Sequence, residues 1–198
     1  MTFCMPASML SSLATHQEKP MELLDLLAAE REIAAVLRRY ARSADRHDWE
    51  GVRSCFHPDA TDDHLDYKGD IDGLIAYLAE RHVGLEQSVH QLGNMDIEVR
   101  SPTSAVSETY CLTAQRRILE DGRSAEDLFV FSRYIDVLER RDDGPWLIAE
   151  RAVAMSFSRT EPVGQGFADP GARPEGWVMG MFGAADPVYA QLGARWHS

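Results

Sequence analysis

The chain has 198 residues and a formal net charge of −12, from 20 Lys and Arg against 32 Asp and Glu. A hydrophobic fraction of 44% and a charged fraction of 26% fit a soluble globular domain large enough to bury a core. The acidic balance, without any basic run, argues against nucleic acid or an anionic membrane surface as partner.

Residues Met1 to Pro20 show no periodicity and lack both a basic start and a long apolar stretch. They read as a mobile tail rather than a signal peptide. No segment approaches the roughly 20 apolar residues of a membrane span, so a cytoplasmic location is expected. From Met21 to about Arg46, Leu24, Leu27, Ile33, Leu37, Tyr40 and Ala44 recur at helical spacing. A short second helix is expected over Asp48 to Phe56, capped by Asp48 and closed by Pro58. The polar stretch "DATDDHLDYKGD" reads as one short strand with a turn at Gly69. A third helix over Ile71 to Arg81 then carries Leu74, Ile75 and Leu78.

Beyond this point the period changes from 3.6 to 2. Strands are expected near Ser88 to Val99, Ala105 to Ile118, Ala125 to Glu139 and Trp146 to Phe157. The connections "RSPTS", "EDGRS" and "RRDDGP" supply turn residues. Helices followed by an antiparallel meander predict an α+β fold, with the body over residues 21–160 and its helices on one face of a curved sheet. The extension over residues 161–198 holds Trp177, Met179, Met181, Phe182, Tyr189 and Trp196, and is expected to pack on the body or on a neighbouring subunit. Cys4, Cys55 and Cys111 are odd in number and far apart, which indicates neither a disulfide framework nor a metal site.

One helical stripe, Ala34, Leu37 and Ala41, ends in Asp45. A carboxylate in that phase is either a surface residue or an acid aimed into a cavity. In "SVHQLGNMDIEV", strict alternation would put His90 on the polar side. A bulge at Gly93 would reverse the parity and bring His90 and Leu92 to the inward face. Tyr40 lies five residues before Asp45, about 140° away on a helix, and reads as a core aromatic on spacing alone. Tyr110 shares a strand side with Val106, Leu112 and Ala114. Arg151 alternates in phase with Val153, Met155 and Phe157. A buried arginine needs a partner or a ligand, and Asp136 and Glu139 are candidate partners.

These pieces resemble the SnoaL-like branch of the nuclear transport factor 2-like superfamily, a cystatin-like α+β cone. The resemblance rests on "YARSADRHDWEGVRSCFHPDA", "YKG", "SVHQLGN" and "LERRDDGPWLIAER", and spans about Glu30 to Arg159. Members include hexachlorocyclohexane dehydrochlorinase, scytalone dehydratase and bile-acid 7α-dehydratase, which carry an Asp/His pair in the cone. The resemblance implies Asp45 and His90 for that pair here, with Tyr40 and Arg151 as further catalytic residues. Tyr110, Leu112, Val153, Met155 and Leu92 are then candidates for the substrate wall. His64 and Tyr67 are possible stand-ins for other pocket groups. Ser156-Phe157 departs from the acidic residue and Trp of many relatives, which bears on substrate identity.

An imidazole held by a carboxylate is a general base that needs no cofactor or metal. The expected reaction is β-elimination, as in a dehydratase, or a proton-transfer isomerisation on a small, apolar, cyclic substrate. Two other readings stay open: an accessory subunit, such as the small subunit of a ring-hydroxylating dioxygenase, and a polyketide cyclase or epoxide hydrolase on the same cone. A homo-oligomer is expected, a trimer by analogy or else a dimer.

Overall fold

The computed structural model describes residues 21–163 and 175–192. The tail expected before Met21, and Trp196, lie outside those bounds. Helix α1 (Leu23–Asp45) is fixed by Ala29, Ile33, Val36, Leu37, Tyr40, Ala41 and Ala44, all buried and on one face. Each fully buried Ile or Leu in such a stripe contributes roughly 1.5–3 kcal/mol. Leu24 and Leu27 stand exposed, because the face that meets the sheet begins only at Ala29.

Helix α2 (Trp49–Arg53) is capped by Asp48, whose carboxylate accepts the Gly51 N–H at 2.9 Å. It is shorter than expected, and Phe56 already opens a strand. Pro58 does not close a helix but sits inside β1 (Phe56–His64), where the register with its neighbour breaks between Phe56 and Thr61. A missing N–H costs no ladder bond there. The polar stretch forms two strands, not one. β1 turns back through Leu65, at φ 59°, into β2 (Tyr67–Asp70), so Gly69 lies within a strand opposite Asp62. Helix α3 (Ile71–Arg81) follows, capped by Asp70 on the Gly73 N–H at 2.8 Å, and buries Ile71, Leu74 and Leu78.

The long strands are β3 (Leu85–Ser101), β4 (Ser104–Ile118), β5 (Ala125–Arg140) and β6 (Trp146–Pro162). The sheet runs β2-β1-β6-β5-β4-β3, antiparallel except for the parallel pair β1 and β6. Bulges bend it between Leu92 and Met95 on β3 and between Met155 and Phe157 on β6. The helices pack on the concave side around Ile33, Leu37, Tyr40, Leu74, Leu138, Trp146 and Ile148. The result is an α+β cone: an unclosed, curved, mixed sheet with N-terminal helices against its inner face.

Residues 175–192 include a 3₁₀ turn (Gly183–Ala185) and helix α4 (Pro187–Leu192). This segment touches the end of α1. The Gly183 N–H donates to the Arg46 carbonyl at 2.7 Å, the Phe182 ring stacks on His47 at 3.8 Å, and Asp186 lies 3.5 Å from Arg46. Gln87 on β3 donates to the Gly180 carbonyl at 2.8 Å.

Candidate active site

Helix α1 ends in a closed hydrogen-bond motif. The Asp48 N–H returns to the Ser43 carbonyl at 2.9 Å and the His47 N–H to the Ala44 carbonyl at 3.3 Å, with His47 left-handed at φ 56°. That pair of bonds defines a Schellman end, which terminates the helix sharply and fixes the direction of its last side chains. Asp45 is the last helical residue, and its carboxylate reaches the start of β3.

There it meets His90. Asp45 Oδ1 lies 2.6 Å from His90 Nδ1, and Asp45 Oδ2 accepts the backbone N–H of the same residue at 3.0 Å. One carboxylate thus holds both the ring and the main chain of the histidine. With Nδ1–H donating to Asp45, Nε2 carries a free lone pair. The His90 ring faces inward because Leu92 and Met95 flank a register shift at Gly93, so Ser88, His90 and Leu92 share a side with Met95 and Ile97.

His90 lines a half-open cavity of about 50 Å³ between the end of α1, β1 and the sheet. Tyr40, Ala44, His64, Leu78, His82 and Val153 also line it, and Thr113, Gln115 and Ser132 form its polar floor. His82 is buried, donates or accepts at His47 Nε2 through Nδ1 at 3.0 Å, and lies 3.2 Å from Gln115 Nε2. Burial, together with the field of His47 and His90, pushes its pKa down to about 3. His82 is therefore a neutral ring at ordinary pH.

Tyr40 reaches the same cavity, although α1 turns it well away from Asp45. Its ring packs edge-on to Phe56 and Tyr134 at 5.8 and 5.7 Å. Burial holds its phenol well above the usual range, so it stays protonated. Arg151 does not reach the cavity. Its guanidinium is fully buried, binds Asp136 through two hydrogen bonds of 2.7 and 3.0 Å, and lies 4.1 and 4.3 Å from the centres of the Tyr40 and Tyr134 rings. Burial opposes the cation, but Asp136 outweighs it, and Arg151 stays charged.

The expected substrate wall divides. Val153 lines the cavity. Leu92 faces inward but packs into the core. Met155 is inward and 48% exposed, outside the cavity. Tyr110 and Leu112 lie on the outer face of the sheet, Leu112 opposite Gln91, and line a shallow outer depression with Phe131 and Phe157. Val106, Tyr110, Leu112 and Ala114 do share one side, but it is the outer one, because the inner face carries the smaller or more polar residues: Ser107, Thr109, Cys111, Thr113 and Gln115. Phe157 also leaves the inner face, turned outward by the extra residue Ser156.

Sequence reasoning missed His82, Thr113, Gln115 and Ser132. Thr113 and Gln115 alternate in phase with Cys111, a signal hidden by the larger apolar residues on the opposite side. Tyr67 packs on Tyr77, with ring centres 5.6 Å apart, and is not part of the cavity wall. Cys55 and Cys111 are buried free thiols. Among the described residues, no group of three or more His, Cys, Asp or Glu is placed to hold a metal ion, and no helix is long and apolar enough to cross a membrane.

Residues 25–152 match the family described as a SnoaL-like domain. No curated protein matches the chain by sequence. A protein of Novosphingobium aromaticivorans DSM 12444, designated a scytalone dehydratase by assignment only, superposes with a TM-score of 0.62 at 20% identity, over 78% of this chain and 100% of its own. The type 2 hexachlorocyclohexane dehydrochlorinase LinA gives 0.63 at 21% identity, over 75% and 99%. Its type 3 counterpart from Novosphingobium barchaimii LL02 gives 0.58 at 19%, over 70% and 93%. At these identities the likeness is one of fold.

Proposed function

This chain belongs to the SnoaL-like domain family, and on that footing we propose that it is a cofactor-independent lyase that eliminates water or a hydrogen halide. The observation that carries this reading is the Asp45–His90 pair opening on the cavity. His90 Nε2 takes a proton from carbon next to an activating carbonyl. The C–H electron pair forms the new double bond, and the group on the β-carbon departs with its own pair. Asp45 holds the reactive tautomer and stabilises the imidazolium that forms. The protonated Tyr40 phenol is available to donate to the carbonyl oxygen as it gains charge. Isomerisation follows from the same base when no leaving group is present. Names of the structural neighbours, which include dehydrochlorinases, support the same class of chemistry.

The cavity wall mixes Ala44, Leu78 and Val153 with His64, Thr113, Gln115 and Ser132. Those side chains suit a small substrate with an apolar body and one or two oxygen or halogen substituents. The test uses β-chloro- and β-hydroxycyclohexanone, which give the same cyclohexenone, read by its ultraviolet absorbance. Wild type is expected to turn over at least one of them, and His90→Ala to lose that turnover. Full activity in a folded His90→Ala variant sinks the proposal.

A different observation bears on partners. The outer sheet face leaves Val89, Tyr110, Ile135 and Phe157 about half exposed. Such a surface suits self-association, and it would equally suit an accessory subunit bound to a larger iron-containing chain. The Asp45–His90 geometry favours the enzyme reading.

A further inference from the structure

The wall opposite His90 repeats its design. Asp62 and His64 alternate onto the inner face of β1, whose backbone runs beside β6 with Asp62 opposite Arg151. The Asp62 side chain is fully buried, and His64 Nδ1 lies 3.3 Å from Asp62 Oδ1. Neither Asp62 oxygen has a hydrogen bond of good geometry to another described residue, and His64 Nδ1 likewise has none. A buried, unsatisfied carboxylate is costly, and a protonated ring turned slightly toward it removes that cost. Arg151 spends Nε and Nη2 on Asp136 and makes no hydrogen bond to Asp62, although its charge acts on that carboxylate from the next strand, which leaves His64 as the nearest side chain on β1 for Asp62 to bind.

His64 and His90 come from strands far apart in the sheet. β1 lies next to one edge and β3 forms the other, yet both rings line the same cavity. The curvature of the sheet therefore sets two Asp–His pairs across one space. The charged and titratable groups around His64 are Asp62 on its own strand, Tyr67 on β2, Tyr77 and Arg81 from α3, Tyr40 on α1, His82, His90 on β3, Tyr134 on β5 and Arg151 on β6.

We propose that Asp62 and His64 form a second dyad that protonates the leaving group. This rests on the lyase reading and assigns the other half of its chemistry. Asp62 is a positioning residue that holds His64 as an imidazolium, with Nε2–H toward the cavity. His90 removes the proton from carbon and its electron pair becomes the π bond. The C–O bond breaks with its own pair, and the departing oxygen takes the proton from His64 Nε2 and leaves as water. His64 ends neutral and His90 cationic, and the proton returns through solvent before the next turnover. A halide needs no such proton, because it leaves as a stable anion.

Two experiments decide the matter separately. The first compares the histidine ring nitrogen signals of isotope-labelled wild type and Asp62→Asn by NMR at one fixed pH. Asp62→Asn is expected to move the ring nitrogen signals of His64, whose Nδ1 faces that carboxylate, and to leave those of His90 in place. An unmoved His64 overturns the second dyad. The second compares the two cyclohexanone probes. His64→Gln should slow water loss by roughly 100-fold or more and chloride loss far less, whereas His90→Ala should abolish both. Equal loss on both probes overturns the role of His64 and leaves the lyase reading standing. If wild type acts on neither probe, the lyase reading fails and the acid role falls with it, while the ring nitrogen signals still decide whether the pair exists.

Discussion

The two oxygens of Asp45 are divided between two groups of one residue: Oδ1 takes the His90 ring at 2.6 Å and Oδ2 takes the His90 backbone N–H at 3.0 Å. Removing the charge and removing the side chain should therefore have different effects. Asp45→Asn keeps an acceptor for the backbone but loses the anion that fixes the tautomer. Turnover should fall by about 10²–10⁴-fold with little change in melting temperature. Asp45→Ala also orphans the backbone N–H, and should cost about 1–3 kcal/mol of stability in urea unfolding.

Arg151 belongs to the support of the site rather than to its surface. Arg151→Met leaves Asp136 buried without its cation, a loss of about 3–5 kcal/mol. Replacing Asp136 as well, by Leu, should restore much of that stability. Urea midpoints of the two single variants and the double variant measure the coupling. Additive losses would show that the pair is not the unit described.

His82 makes stability depend on pH in a stated direction. Its folded pKa, about 3, lies below the value near 6.5 that an unfolded chain offers. Between those two values the unfolded state binds the extra proton, so stability is greatest above pH 6.5 and declines as pH falls toward 3. The slope from one such group is at most about 1.4 kcal/mol per pH unit. His82→Gln should flatten the decline between pH 6.5 and 4 relative to wild type. Parallel curves would contradict this.

The outer face predicts an assembly. Phe157 is 56% exposed and stacks on Phe131 with ring centres 4.4 Å apart. Phe157→Asp should convert the trimer or dimer expected for this chain to a monomer by light scattering, without loss of secondary structure. A monomeric wild type at micromolar concentration would refute the assignment.

The part of the site that sequence made legible is the part governed by local rules. Asp45 follows helical phase, and a glycine marks the bulge that turns His90 inward. Tyr110 and Leu112 show where such rules stop. Alternation finds two faces but does not say which is inner, and here the larger apolar residues lie outside. Ser156 causes a bulge with no glycine or proline to announce it, so Phe157 could not be placed. The Arg151–Asp136 pair depends on the register between β5 and β6, which is a long-range property. Asp62 was concealed for a simpler reason, and His64 was reached only through the family resemblance: "ATDDH" carries too little apolar character to look like an inner strand.

The parallel pairing of β1 with β6 joins segments about 90 residues apart. The β3–β6 meander closes through short connections, whereas the β1–β2 hairpin joins that meander only through β6. Closing the long loop carries an entropic cost that neighbouring hairpins avoid. The wall that holds Asp62 and His64 is accordingly expected to arrive last during folding. A partly folded chain can show most of its β-structure and still have only half a cavity, so recovery of turnover on refolding should lag behind the β signal in circular dichroism.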